Sequence, residues 1–114
     1  MAQIPSFKDI QRVNREKQNS VIETAINLWT DVFVDAIDKW IAATVTNRDR
    51  MKIVIPAVQL SGFHQFTQDQ RARILDTIRT KFVDAGWLHI EIVEDEYDEY
   101  NHNYPVIIEH DMTI

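Results

Sequence analysis

The sequence predicts an α+β fold of one domain over residues 1 to 114, in which a long N-terminal helix precedes a β-α-β-β module with a small three-stranded sheet packed by helices. Three observations predict it. Apolar residues recur at helical spacing through residues 20 to 46, a short strand-like run follows at 51 to 55 and two runs with a period of two at 88 to 92 and 104 to 108, and a second helical stretch lies between the first run and the other two. A chain of 114 residues that is 45% hydrophobic can build one modest core. With two glycines and three prolines, it has little material for tight turns, so long elements with few connections are expected.

Residues 1 to 19 read as a basic N-terminal arm or short helix. Ser6 followed by Asp9 marks a helix start, and Phe7, Ile10 and Val13 make a short apolar stripe among Lys8, Arg12, Arg15 and Lys17. Ser20 and Glu23 then form a capping box, S-V-I-E, in which the serine oxygen takes a backbone N–H and the glutamate reaches back to the cap. A separate long helix is therefore expected over residues 20 to 46. Its stripe of Ile22, Ile26, Trp29, Phe33, Ile37 and Trp40 is widened by Val21, Leu28, Val32, Val34 and Ile41 beyond what one face can bury. Such a helix needs cover on more than one side, from its own domain or from another copy or partner. Trp29, Phe33, Ile37 and Trp40 are the residues expected to carry self-association.

Residues 51 to 114 hold the β-α-β-β module. Met51, Lys52, Ile53, Val54 and Ile55 read as a strand stopped by Pro56, and residues 57 to 66 as a connection anchored by Phe63 and Phe66. Thr67 and Gln70 supply a capping box for a helix whose Ile74, Leu75, Ile78 and Phe82 share one face, and Gly86 ends it with a left-handed cap. Leu88, Ile90 and Ile92, then Tyr104, Val106 and Ile108, alternate with other residues as the two strands of an antiparallel hairpin, with Pro105 at the start of the second strand or at an edge. In one register His89 and Glu109 face each other as a cross-strand charge pair. The same element order fits a winged helix, with residues 68 to 85 as recognition helix and the hairpin as wing. The apolar first strand and the acidic hairpin tip favour the packed sheet.

Charge is segregated along the chain. All twelve basic residues lie at or before Lys81, and residues 82 to 114 carry nine acidic groups, five of them within Glu94, Asp95, Glu96, Tyr97, Asp98 and Glu99. This end repels phosphate, which disfavours direct nucleic-acid binding and points to a protein partner with a basic surface, or to simple solvation of a turn. Tyr97, Tyr100 and Tyr104 would add aromatic contact area to such a docking patch. As a calcium loop the run lacks the glycine and the alternating ligands.

Catalytic and cofactor chemistry has little sequence support. There is no cysteine for a disulfide framework, a thiolate metal site or a nucleophile, and His64, His89, His102 and His110 lack the i, i+4 spacing of a helical metal pair. Ser61, in Q-L-S-G-F, has glycine on one side only and no strand-to-helix elbow around it. No enzyme activity, cofactor or resident metal is expected. The start of the chain lacks the apolar stretch of a signal peptide, and no window approaches a membrane span, so a non-membrane, cytoplasmic protein is expected.

Residues 67 to 114, a capped helix ending in D-A-G-W and running into strand, acidic tyrosine-bearing turn and strand, resemble a pattern found in small proteins encoded by bacteriophages. The resemblance implies a virion-associated or host-modulating protein, in host cytoplasm or virion, that acts by assembly or binding, and it assigns no functional residue. The expected function is thus a non-catalytic interaction or assembly protein, self-associating through the apolar helix and docking a basic partner with Glu94, Asp95, Glu96, Tyr97, Asp98, Glu99 and Tyr100. The alternatives are an acidic nucleic-acid mimic that inhibits a host protein, and a winged-helix DNA-binding regulator.

Overall fold

A computed structural model describes residues 4 to 43, 49 to 95 and 105 to 112. The elements follow in the order α1 (Phe7–Ala43), β1 (Arg50–Ile55), two single-turn 3-10 helices (Ala57–Gln59 and Phe63–Gln65), α2 (Gln68–Asp84), β2 (Glu91–Glu94) and β3 (Val106–Asp111). The α+β class expected from the sequence is the one found.

The first 37-residue element corrects the sequence reading. Residues 7 to 43 form one continuous helix, about 55 Å long at 1.5 Å per residue, not an arm followed by a new helix at Ser20. Its start is where Ser6 and Asp9 indicated, with the Asp9 N–H donating to Ser6 Oγ at 3.2 Å. Ser20 lies inside the helix, its carbonyl accepting from the Thr24 hydroxyl at 2.9 Å. The physical reason is cooperativity: extending a helix already running through Lys, Arg, Gln and Glu costs less than terminating it and nucleating another.

The three strands form one antiparallel sheet in the order β1-β3-β2, with Ile53 opposite Ile108 and Ile92 opposite the same residue on the other side. Both helices cover one face. Trp29, Phe33 and Ile37 of α1, Ile74, Ile78 and Phe82 of α2, and Met51, Ile55, Ile92, Val106 and Ile108 of the sheet belong to a single buried cluster. Trp29 also pins the connection, donating its Nε1–H to the Ser61 carbonyl at 2.9 Å and packing against Phe63 and Phe66.

Helix α2 begins and ends as its residues dictate. Both halves of the Thr67–Gln70 capping box are made, at 3.2 and 2.9 Å. At the other end the Trp87 N–H donates to the Phe82 carbonyl and the Gly86 N–H to the Val83 carbonyl, with Gly86 at φ +105°. That is the Schellman pattern, completed by an edge-on contact of Trp87 with Phe82 at 6.2 Å. The reversal occupies Leu88 and His89, so the first hairpin strand starts at Glu91 rather than at residue 88, and Leu88 is exposed. His89 therefore does not face Glu109 across the hairpin. Glu109 stands opposite Glu91 on one side and is bound by Arg50 of β1 on the other, at 2.8 Å. Pro105 lies just before the central strand, its carbonyl accepting from the Asp95 N–H.

Candidate functional site

Of the residues expected to self-associate, Trp29, Phe33 and Ile37 are 0%, 0% and 4% exposed, as core side chains of this one chain. The helical stripe was identified correctly and given the wrong role: it faces the sheet and α2. Trp40 is half-buried against the same cluster. The apolar surface left over lies on other sides of α1. Phe7, Ile10, Val13, Val21 and Leu28 are 73%, 51%, 44%, 54% and 46% exposed, and Val34 and Ile41 are exposed nearer the C-terminal end.

The helix thus divides at Ile22. From there to Trp40 every turn contributes a buried or half-buried residue, whereas all of residues 7 to 21 are exposed and project from the body as four turns with no covering element among the described residues. Phe7, Ile10, Val21 and Leu28 lie on one side of the cylinder, since their spacings of three, eleven and seven residues are close to whole numbers of turns. Two shallow grooves adjoin this side. One runs along the arm beside Ile10, Asn14 and Lys17. The other, about 200 Å³, lies where Val21, Thr24 and Leu28 meet Gly62 and Phe66 of the connection.

The acidic segment is only partly described. Glu96, Tyr97, Asp98, Glu99, Tyr100 and Tyr104 lie outside the described residues. Glu94 has an internal partner that the charge run did not reveal: Arg71 of α2 donates to both its carboxylate oxygens at 3.1 Å, with the two side chains 17% and 18% exposed. The same guanidinium donates to the Phe66 carbonyl at 2.8 Å and lies over the Phe63 ring at 4.9 Å. Arg71 therefore ties α2, the connection and β2 together, and Glu94 is a structural anion rather than an open docking charge. Asp95 lies at the strand end and is exposed.

The open face of the sheet is a further surface that the sequence reading did not single out. Val54, Ile107 and Val93 are register partners across the three strands, and Val54 and Val93 are more than half exposed. The adjacent row is charged: Lys52, Glu109 and Glu91 share a register, and Arg50 donates to Glu109. That bond holds the Arg50 guanidinium pKa above its ordinary value, with Glu91 and Asp111 adding to the effect.

Helix α2 has little to offer a phosphate backbone. Arg71 is committed to Glu94, and Arg79 donates to the Ile90 carbonyl at 3.1 Å. Arg73 and Lys81 remain on the exposed side, alongside Asp69, Asp76 and Asp84. His110 is 9% exposed beneath Trp87, and neither ring nitrogen has a hydrogen-bond partner among the described residues. No group of three His, Cys, Asp or Glu side chains among the described residues could hold a metal ion. No described helix is long and apolar enough to cross a membrane.

Compared with protein-family models, with curated proteins and with solved structures, the chain matches none of them.

Proposed function

We propose that this protein is a non-catalytic interaction or assembly protein, which presents the projecting arm of α1 to a partner and uses the acidic segment around residues 95 to 99 as a second contact for a basic protein surface. The observation that carries the reading is the side of α1 bearing Phe7, Ile10, Val21 and Leu28, which stays open to solvent while the body occupies another side of the same helix. An exposed apolar stripe on a well-formed helix gains free energy when a partner covers it, and such a stripe rimmed by charge is a common form of interaction surface. The exposed charges of α2, mixed in sign, and the negative C-terminal third of the chain weigh against the DNA-binding regulator. The acidic nucleic-acid mimic needs carboxylates spread over a long surface, whereas five of the nine C-terminal acids sit in one run. A bacteriophage origin, as virion-associated or accessory protein, rests on the resemblance of residues 67 to 114.

The test is affinity purification from the native cells with three versions of the full chain: the natural one, Phe7→Asp with Ile10→Asp, and Asp95, Glu96, Asp98 and Glu99 all changed to lysine. The expected result is a stoichiometric complex with the natural chain, lost in the arm variant and weakened in the charge-reversed one, while all three unfold at the same denaturant concentration. Undiminished capture by both variants would remove the proposal.

A further inference from the structure

The outer edge of β2 leaves backbone groups open beside a groove. The Asp95 N–H donates inward to the Pro105 carbonyl, and Val93 and Glu91 share that alternation, so the backbone groups of Ile90, Ile92 and Glu94 point away from β3. At Ile90 the chain uses them itself: the N–H donates to the Trp87 carbonyl at 3.3 Å, and the carbonyl accepts from Arg79 Nε at 3.1 Å. At Ile92 and Glu94 the outward N–H and C=O groups have no partner among the described residues. A groove of about 420 Å³ runs along this edge, between Ile92 of β2 and Ala72, Leu75 and Asp76 of α2. Open ladder groups give an added strand its main-chain hydrogen bonds, and the groove receives its alternate side chains.

Charge states the chemistry of the guest. On the open face of the sheet this edge presents Glu91, exposed, then Val93, 51% exposed, with exposed Asp95 at the strand end. Asp76 adds a carboxylate in the groove, and the chain continues directly into Glu96, Asp98 and Glu99. The two nearest arginines are committed, Arg71 to Glu94 and Arg79 to the Ile90 carbonyl. A strand laid here gains from a lysine or arginine opposite Glu91, another four positions away beside Asp95, and an apolar residue between them opposite Val93. The other edge differs: β1 carries Arg50 and Lys52 on the same face, charges of the kind with which edge strands resist pairing. Nor does a second copy's β1 fit as the guest. It brings α1 packed on the face where α2 already stands, and one more strand opens only about 4.8 Å beside α2, against about 8–10 Å for a further helix.

We infer that β2 takes up an extended basic segment of a partner protein, which pairs with Ile92 and Glu94 as a fourth strand of the sheet. This inference rests on the proposed docking of a basic protein surface and gives that contact its form: the acidic residues select the segment, and the open backbone groups hold it.

The test is amide hydrogen exchange, residue by residue, on the full chain with and without the peptide acetyl-S-K-V-V-T-K-S-amide, whose two lysines meet Glu91 and Asp95 in either direction. In the free chain the Ile92 and Glu94 amides are expected to exchange about tenfold faster than that of Val93, and with the peptide to slow to the Val93 rate. Ala72→Trp, at an exposed position where it fills the groove, and Glu91→Lys are each expected to weaken the peptide about tenfold, with both variants still folded by circular dichroism. Peptides N-methylated on alternate amides separate a strand from charge attraction: methylation of one alternate set is expected to abolish the protection, and equal protection by both sets overturns the inference. Protection of Ile92 and Glu94 in the free chain also overturns it, in favour of a second copy where light scattering gives a mass of two chains, and of the chain's own segment where it gives one. No protection by the peptide overturns it as well. If reversal of Asp95, Glu96, Asp98 and Glu99 then still weakens cellular capture, the docking of a basic surface stands and only its strand form is lost, so the two failures are distinguishable.

Discussion

The two halves of α1 have the same backbone conformation and opposite dependence on the rest of the molecule. From Ile22 onward the helix is held by Ala25, Trp29, Phe33 and Ile37, four side chains buried at intervals of four residues. In α1 before Ile22 none of the described side chains is buried, and the backbone is sustained by Ser6 at the start, by residues of good helix propensity and by continuity with the packed half. A four-turn helix in water is marginal by itself, so the arm persists because it does not have to nucleate. The comparison teaches that helix formation and helix burial are separate properties, and that the unburied half is where a function can reside.

The largest effect that can break this comparison comes from matched deletions. Phe33→Ala empties a fully enclosed site and is expected to cost about 3–5 kcal/mol of unfolding free energy. Phe7→Ala, at a residue 73% exposed, is expected to change the stability of the dilute protein by less than about 0.5 kcal/mol. Urea titrations of both variants decide the matter. A cost at Phe7 near that at Phe33 would mean that the arm folds back on the body.

The next effect concerns charges, where the same contrast of buried and open applies. Arg71→Ala leaves the Glu94 carboxylate, 18% exposed, and the Phe66 carbonyl without their shared donor, and should cost about 1–3 kcal/mol. Lys39→Ala removes an ion pair with Asp35 whose side chains are 78% and 64% exposed, and should cost under about 0.5 kcal/mol. Equal losses in the two variants, measured by the same titration, would show that Arg71 is not the tie between α2, the connection and β2.

Local chemistry made much of this fold legible. The Thr67–Gln70 box, the Gly86 cap and the alternation of Val106 and Ile108 each involve residues within a few positions of one another, and each is found where the sequence placed it. Three features eluded the sequence. Glu94 looked like one more carboxylate in a run because its partner Arg71 is 23 residues away. His89 looked like a strand residue because alternation continues through Leu88, whereas a second turn, closed by the Ile90 N–H on the Trp87 carbonyl, takes those positions. Trp29, Phe33 and Ile37 were assigned outward because helical spacing groups residues on one side without saying which side meets the sheet. The candidate arm was visible residue by residue as Phe7, Ile10 and Val13, but its continuity with Val21 and Leu28 was hidden by a capping box that the chain does not use.

That unused box gives the smallest effect, and its sign is what matters. At Thr67 the side chain accepts the Gln70 N–H at a true helix start, so Thr67→Ala should destabilise by about 1 kcal/mol. Ser20 sits in the middle of α1, and the Thr24 hydroxyl that bonds its carbonyl does not depend on its side chain. Replacing a mid-helix serine by alanine improves helix propensity by about 0.5 kcal/mol. Ser20→Ala should therefore leave the helical circular-dichroism signal unchanged or raise it slightly, and should slow amide exchange in residues 7 to 21, which depend most on the helix running through. Were Ser20 a working cap, the same substitution would lower the signal and speed that exchange, and the arm would be a separate element hinged at Ser20. The direction of a small change thus decides whether α1 is one rigid rod that holds its arm out from the body, or two segments that merely follow one another.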